Sequence, residues 1–180
     1  MNVVEHRWQK RIHIIQLSSL FLLLATPGCR SARPLSAVDL KEPGWNIRNG
    51  QAVWRLPRGK SEIAGEVLVA MRANGQSFVQ FSKNPFPMVL AQATPEGWEV
   101  EFPPQNKRYA GRGAPPTRLI WLYLPRALAG KALPQGWSWH SDANGWRLEN
   151  PASGEFLEGY FVPTAVNASR TLPQGVRTRA

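Results

Sequence analysis

From Trp45 to Pro163 no apolar stretch runs far before glycine, proline or an Asn-Gly pair interrupts it, and this punctuation constrains the fold most. Short stretches broken in this way read as antiparallel strands joined by tight turns. Trp45 to Arg48 and Gln51 to Leu56 flank Asn49-Gly50, the strongest short hairpin signal, so a first hairpin is expected there. Glu62 to Arg72 and Gln76 to Ser82 flank Asn74-Gly75 and predict a second. Along its first arm Ile63, Val67, Val69 and Met71 share one face, while Glu62, Glu66 and Arg72 share the other. That alternation suits a sheet with one covered face. A third hairpin is expected from Met88 to Ala93, the turn Thr94-Pro95-Glu96-Gly97, and Trp98 to Phe102. Here Trp98, Val100 and Phe102 alternate with Glu99 and Glu101, which puts both glutamates on the solvent side.

Pro103 to Pro116 is basic and rich in Gly and Pro, and reads as a solvated crossover. Thr117 to Gly130 is the one segment read as helical, with Thr117 as N-cap and Gly130 as stop. Pro125 rules out a straight helix and starts a second short turn, and a strand over Leu119 to Leu124 is the competing reading. Three further strands are expected at Gly136 to His140, Trp146 to Glu149 and Glu155 to Phe161. The fold class is therefore mainly β (α+β), one antiparallel domain over residues 45–163. Residues 164–180 are expected to form a disordered tail.

The first 28 residues belong to a different kind of segment. His6, Arg7, Lys10 and Arg11 form a basic head, an apolar run follows from Ile12 to Ala25, and Thr26-Pro27-Gly28 leads into Cys29. These are the parts of a secretory signal, which is removed and takes no part in the fold. The run of about 14 residues falls short of the roughly 20 that a membrane-crossing helix needs. Cys29 is the single cysteine, so no internal disulfide can form. A lone thiol in an oxidising compartment is a liability unless something consumes it. Cys29, placed straight after the apolar run, resembles the lipobox cysteine of bacterial lipoproteins, with ordinary cleavage after Ala32 as the alternative. The resemblance implies a diacylglyceryl group on the Cys29 sulfur, no other cofactor, and residues 29–44 as a lipidated tether. Arg30 in second place favours the outer membrane by the same resemblance. The whole chain carries a net charge of +10, and losing Glu5, Arg7, Lys10 and Arg11 leaves +8. Such a balance attracts polyanions in general; export removes nucleic acid as a partner and leaves membrane lipid.

Chemistry is scarce in the rest of the chain. Beyond the signal there is one histidine, His140, and no second cysteine, too few ligands for a zinc or iron site. His140 and Asp142 have no nucleophile elbow beside them. Glu99 with Glu101, or Glu155 with Glu158, are the only carboxylate pairs that suggest themselves. Gly111-Arg112-Gly113 lacks the context of a phosphate loop. No enzyme is expected. Aromatic bulk is the surplus: of the eight tryptophans, Trp45, Trp54, Trp98, Trp121, Trp137, Trp139 and Trp146 lie in the β region. Each large ring can bury about 150–250 Å². They read either as a compact core or as the apolar lining of a lipid pocket.

Three pieces then stand in a fixed order: strand, Asn84-Pro85-Phe86, strand; the helical Thr117 to Gly130; and Leu128 to Pro134 ending at Trp137. This order resembles the LolA/LolB lipoprotein-localisation family, closest to its outer-membrane receptor branch. The resemblance covers residues 62–139, with a short C-terminal part and Pro87 in place of the family's glycine. It implies a curved half-barrel with a helical lid over a hydrophobic hollow, facing the periplasm. By the same resemblance Phe86 is a membrane-insertion tip, and Leu119, Trp121, Leu122, Leu124 and Leu128 line the lid's underside. Trp98 and Trp137 complete the expected lipid-pocket lining. The implied partners are membrane lipids, a periplasmic carrier protein and acylated lipoproteins, with the chain itself a monomer. A structural or interaction lipoprotein with a packed core and no lipid cargo is the alternative.

Overall fold

The computed structural model describes residues 34–58 and 61–163. The expected signal segment, Cys29 and the expected tail over 164–180 lie outside the described residues. Nine strands follow in order: β1 Asn46–Arg55, β2 Glu62–Met71, β3 Ser77–Lys83, β4 Phe86–Ala93, β5 Gly97–Phe102, β6 Lys107–Arg112, β7 Ser138–Ser141, β8 Trp146–Asn150 and β9 Glu155–Phe161. They form one antiparallel, unclosed, curved sheet in the order β6-β5-β4-β3-β2-β1-β9-β8-β7. The one α-helix among the described residues, α1, is Leu124–Leu128. No helix among them is long and apolar enough to cross a membrane.

The hairpins at Asn74-Gly75 and Thr94–Gly97 form as their sequences predict. In the second, the Thr94 hydroxyl accepts from the backbone N–H groups of Glu96 and Gly97. The expected hairpin at Asn49-Gly50 does not form. β1 runs straight through it, pairing with β2 on one side and β9 on the other. A Cβ on Gly50 would sit 2.9 Å from the Phe161 Cα, and closer still to the Tyr160 carbonyl oxygen. Glycine is there because two backbones crowd together, not because a turn needs positive φ. A Cβ on Gly159 would meet β1 in the same way, 2.9 Å from the Ala52 Cα. β6 also departs from expectation, since the basic Lys107 to Arg112 stretch pairs with β5 as an edge strand. Its exposed Lys and Arg suit an edge, where charge discourages pairing with other chains.

The inner face of the sheet carries the core. Ala52 and Trp54 of β1, Val67 and Val69 of β2, Val79 and Phe81 of β3 and Val89 of β4 are buried together. Trp98, Val100, Trp146, Leu148 and Leu157 extend that layer across β5, β8 and β9. The residues between Pro34 and Gly44, expected only as a tether, are docked. The Leu35 N–H donates to Glu99 Oε2 at 3.0 Å, and Arg72 binds Glu42 at 2.6 Å while lying 4.4 Å from the Trp45 ring. The register pairs Glu99 with Gln92, alternating with the core pair Ala91–Val100, so this strap crosses the outer face. Glu99 is thereby only 6 % exposed, with Arg108 at 2.7 Å. The expected solvent position of Glu99 is corrected: its alternation is right, but the strap covers its side.

Candidate functional site

The segment after β6 is placed by its side chains. Ile120–Leu122 forms a 3-10 turn and α1 follows, with Pro125 in its first turn. Pro125 thus breaks the segment, as expected. Thr117 caps neither piece; the turn begins at Leu119 with no side-chain cap, and Thr117 offers its carbonyl to the Trp137 indole N–H at 2.9 Å. Gly130 ends α1 at φ +65°, and the Lys131 N–H reaches back to the Arg126 carbonyl. The 3-10 turn touches β4 and β5, and α1 touches β2 and β3. The segment is thus a lid lying on the inner face.

Its underside is fully engaged. Trp121 is 1 % exposed, its ring 5.0 Å from Phe81 and edge-on to Trp54 at 5.3 Å. Leu119, Leu122 and Leu124 are buried in the same cluster, and Leu128 packs half-buried against it. Trp137 is buried where the chain leaves the lid, and Trp98 lies beneath Gly111 of β6. The structure therefore gathers all seven expected lining residues into one layer with the sheet. Trp54, one of the tryptophans read as core or lining, and Phe81 belong with them; the alternation within QAVWRL and QSFVQFS marks both as inward-facing, but not as lid contacts. The buried indole N–H groups of Trp98, Trp121 and Trp146 find no acceptor among the described residues. Each such unmet donor costs about 1–3 kcal/mol.

Phe86 lies at the opposite end of the strands from the turns at Asn74-Gly75 and Thr94–Gly97. The tight turn before it contains a cis Asn84-Pro85 bond, and Phe86 opens β4 opposite Lys83. It is 67 % exposed, the most open of the large apolar side chains described. A recess of about 650 Å³ lies under the strap, bordered by Leu35, Trp45, Arg72, Gln92 and Arg112. Trp98 also borders that recess, whose lining is mixed polar and apolar and includes no residue of the lid.

Of the suggested carboxylate pairs, Glu99 and Glu101 share the outer face of β5, whereas Glu155 and Glu158 come apart. Glu158 pairs with Arg147 on the outer face, whereas Glu155 is 4 % exposed and accepts from the Trp54 indole N–H at 3.2 Å. Burial outweighs that hydrogen bond and raises its pKa from 4.5 to about 7. The folded state therefore holds the proton more tightly than the unfolded chain. Stability from this group is complete below pH 4.5, falls as pH rises toward 7, and is flat above that. The loss amounts to roughly 2–3 kcal/mol. Glu155→Gln should remove this decline, as urea unfolding at pH 5 and pH 8 will record; an unchanged slope refutes the assignment. His140 is exposed at the end of β7, and Asp142 accepts from the Asn144 and Gly145 N–H groups in the next turn. The pair is a strand end and a turn, with the Asp142 carboxylate engaged in closing that turn. No family model and no curated protein sequence matches this chain, so its functional reading rests on this geometry.

Proposed function

We propose that the chain is an outer-membrane lipoprotein, anchored through acyl groups on Cys29 and facing the periplasm, that accepts a fatty acyl chain under its lid. The observation that carries this reading is the short apolar lid seated on the inner face of an unclosed sheet. Gly113, Pro115 and Pro116 lie before it and Gly130, Pro134 and Gly136 after it, and it shares no strand pairing with the sheet. Its attachment is therefore mostly side-chain burial. Its six large buried side chains, Leu119 to Leu124, at about 1.5–3 kcal/mol each, hold it down with roughly 9–18 kcal/mol. A chain of about fourteen methylenes gains roughly 11 kcal/mol on burial, at about 0.8 kcal/mol each. An acyl chain can thus replace the lid at nearly even cost, which is what a protein that receives and releases cargo requires. The unmet Trp121 N–H supports the same reading, because an acyl ester or carboxyl oxygen supplies the acceptor it lacks. Phe86, exposed on a short turn, suits dipping into the acyl boundary while cargo passes. Membrane lipids and acylated lipoproteins delivered by a carrier are the proposed cargo and partners.

The test is fluorescence titration of the purified protein with a polyene fatty acid, joined to mass spectrometry of the membrane-extracted chain. Saturable binding near one acyl chain per protein, and a diacylglyceryl mass on Cys29, are expected. Phe86→Glu should leave stability within about 0.5 kcal/mol, yet slow delivery of the probe to vesicles. A native protein that takes up no acyl probe ends the proposal. That outcome is the one expected of a packed structural lipoprotein, which the 1 % exposure of Trp121 favours.

A further inference from the structure

The sign of charge along the chain is not evenly spread. Between Glu101 and Asp142 there is no acidic residue, while Lys107, Arg108, Arg112, Arg118, Arg126 and Lys131 all fall in that span. All six are exposed. Arg108 is held by Glu99, with Glu101 opposite it in register; the other five make no ion pair among the described residues. Elsewhere Arg55, Arg72 and Arg147 each have a carboxylate partner. Of the nine cations without an ion pair among the described residues, five thus fall on β6 and in or beside the lid, with no acidic residue between them, while Lys41, Arg48, Arg58 and Lys83 are spread over the rest.

The strap supplies a second, independent observation. Leu35 is fixed to Glu99 of β5, the strand beside the β6 edge. Six peptide links separate Cys29 from Leu35, and fully extended they span at most about 21 Å. On the acyl-anchor reading proposed above, that length keeps β5 and the β6 edge close to the lipid headgroups. We infer that the β6 edge and the outward side of the lid form a docking surface for an anionic bilayer, with headgroup phosphates bound by Arg118 and Lys131. A lid facing the membrane opens toward the phase that holds its acyl ligands, and the phosphates contribute differential affinity for that orientation.

The experiment uses the full mature chain carrying Cys29→Ser, so that no acyl group contributes. Sedimentation is compared with phosphatidylcholine vesicles and with vesicles that also contain phosphatidylglycerol. Binding is expected only with the anionic lipid, and should fall steeply with added salt. The pair Arg118→Glu, Lys131→Glu should weaken it at least about tenfold, and the charge-matched pair Arg48→Glu, Arg58→Glu much less. If the glutamates unfold the lid, Arg118→Gln with Lys131→Gln gives the same comparison. Equal binding to both vesicle types, or equal loss from the two pairs, overturns the inference. The acyl probe plays no part in this assay, so its failure leaves the acyl-binding proposal standing, and the reverse holds too.

Discussion

Trp121→Ala is expected to cost about 3–5 kcal/mol of folding stability, a large share of what a domain of this size has. The indole is wedged between Phe81 and Trp54. A fall of about 6–20 °C in melting temperature follows from that loss. The variant also separates the two readings of the aromatic layer. If the lid's place is an acyl site, adding long-chain fatty acid at about a hundred times its dissociation constant returns roughly 2.7 kcal/mol. A packed scaffold gains nothing from the same addition. Trp121→Phe, which keeps most of the ring contact, should lose far less. A melting curve for Trp121→Ala that overlays the native one removes the lid from the core altogether.

The second large effect is at Gly50. Gly50→Val is expected to cost at least about 3 kcal/mol, at the upper end for overpacking, because backbone rather than a movable side chain stands in the way. The added carbons run into the Tyr160 carbonyl and the Phe161 Cα. Asn49→Ala beside it should be close to neutral, since Asn49 is an exposed strand residue and its side chain makes none of the hydrogen bonds described. A type I′ turn would give a different pair of results, with Asn49 contributing about as much as its neighbour. Urea midpoints of the two variants therefore test the observed β1 directly. Equal losses at both positions restore the hairpin.

These two sites also mark where the sequence was readable and where it was not. Asn74-Gly75 and Thr94–Gly97 were legible because the information is local: both turns close on residues within four positions. Asn49-Gly50 has the same letters, but its glycine answers to β9, more than a hundred residues away. No window along the chain contains both. β6 was misread as a crossover because an edge strand needs little apolar pattern, and Lys107 to Arg112 has little. Glu99 was misplaced for a related reason. Its alternation gave the correct side of β5, but the cover on that side is a strap without periodicity, held by the Leu35 N–H on Glu99 and by Arg72 on Glu42. The lid was legible in its content, since Leu119, Trp121, Leu122 and Leu124 were all expected to face inward, and they do. Its caps were not, because Thr117 spends its carbonyl on Trp137 and the turn starts two residues later.

The neighbourhood of β1 has a consequence for the order of assembly. As the polypeptide emerges, β1 to β6 can zip up in sequence through short connections, each closing a small loop at modest entropic cost. The far flank of β1 must wait for β9, the last strand described, because β9 is its second neighbour. Until then a strand at the centre of the finished molecule is an adhesive rim. A nascent chain stopped at Asn150 would carry that rim uncovered, so a ribosome-stalled or clipped product should clump, while the completed one remains dispersed.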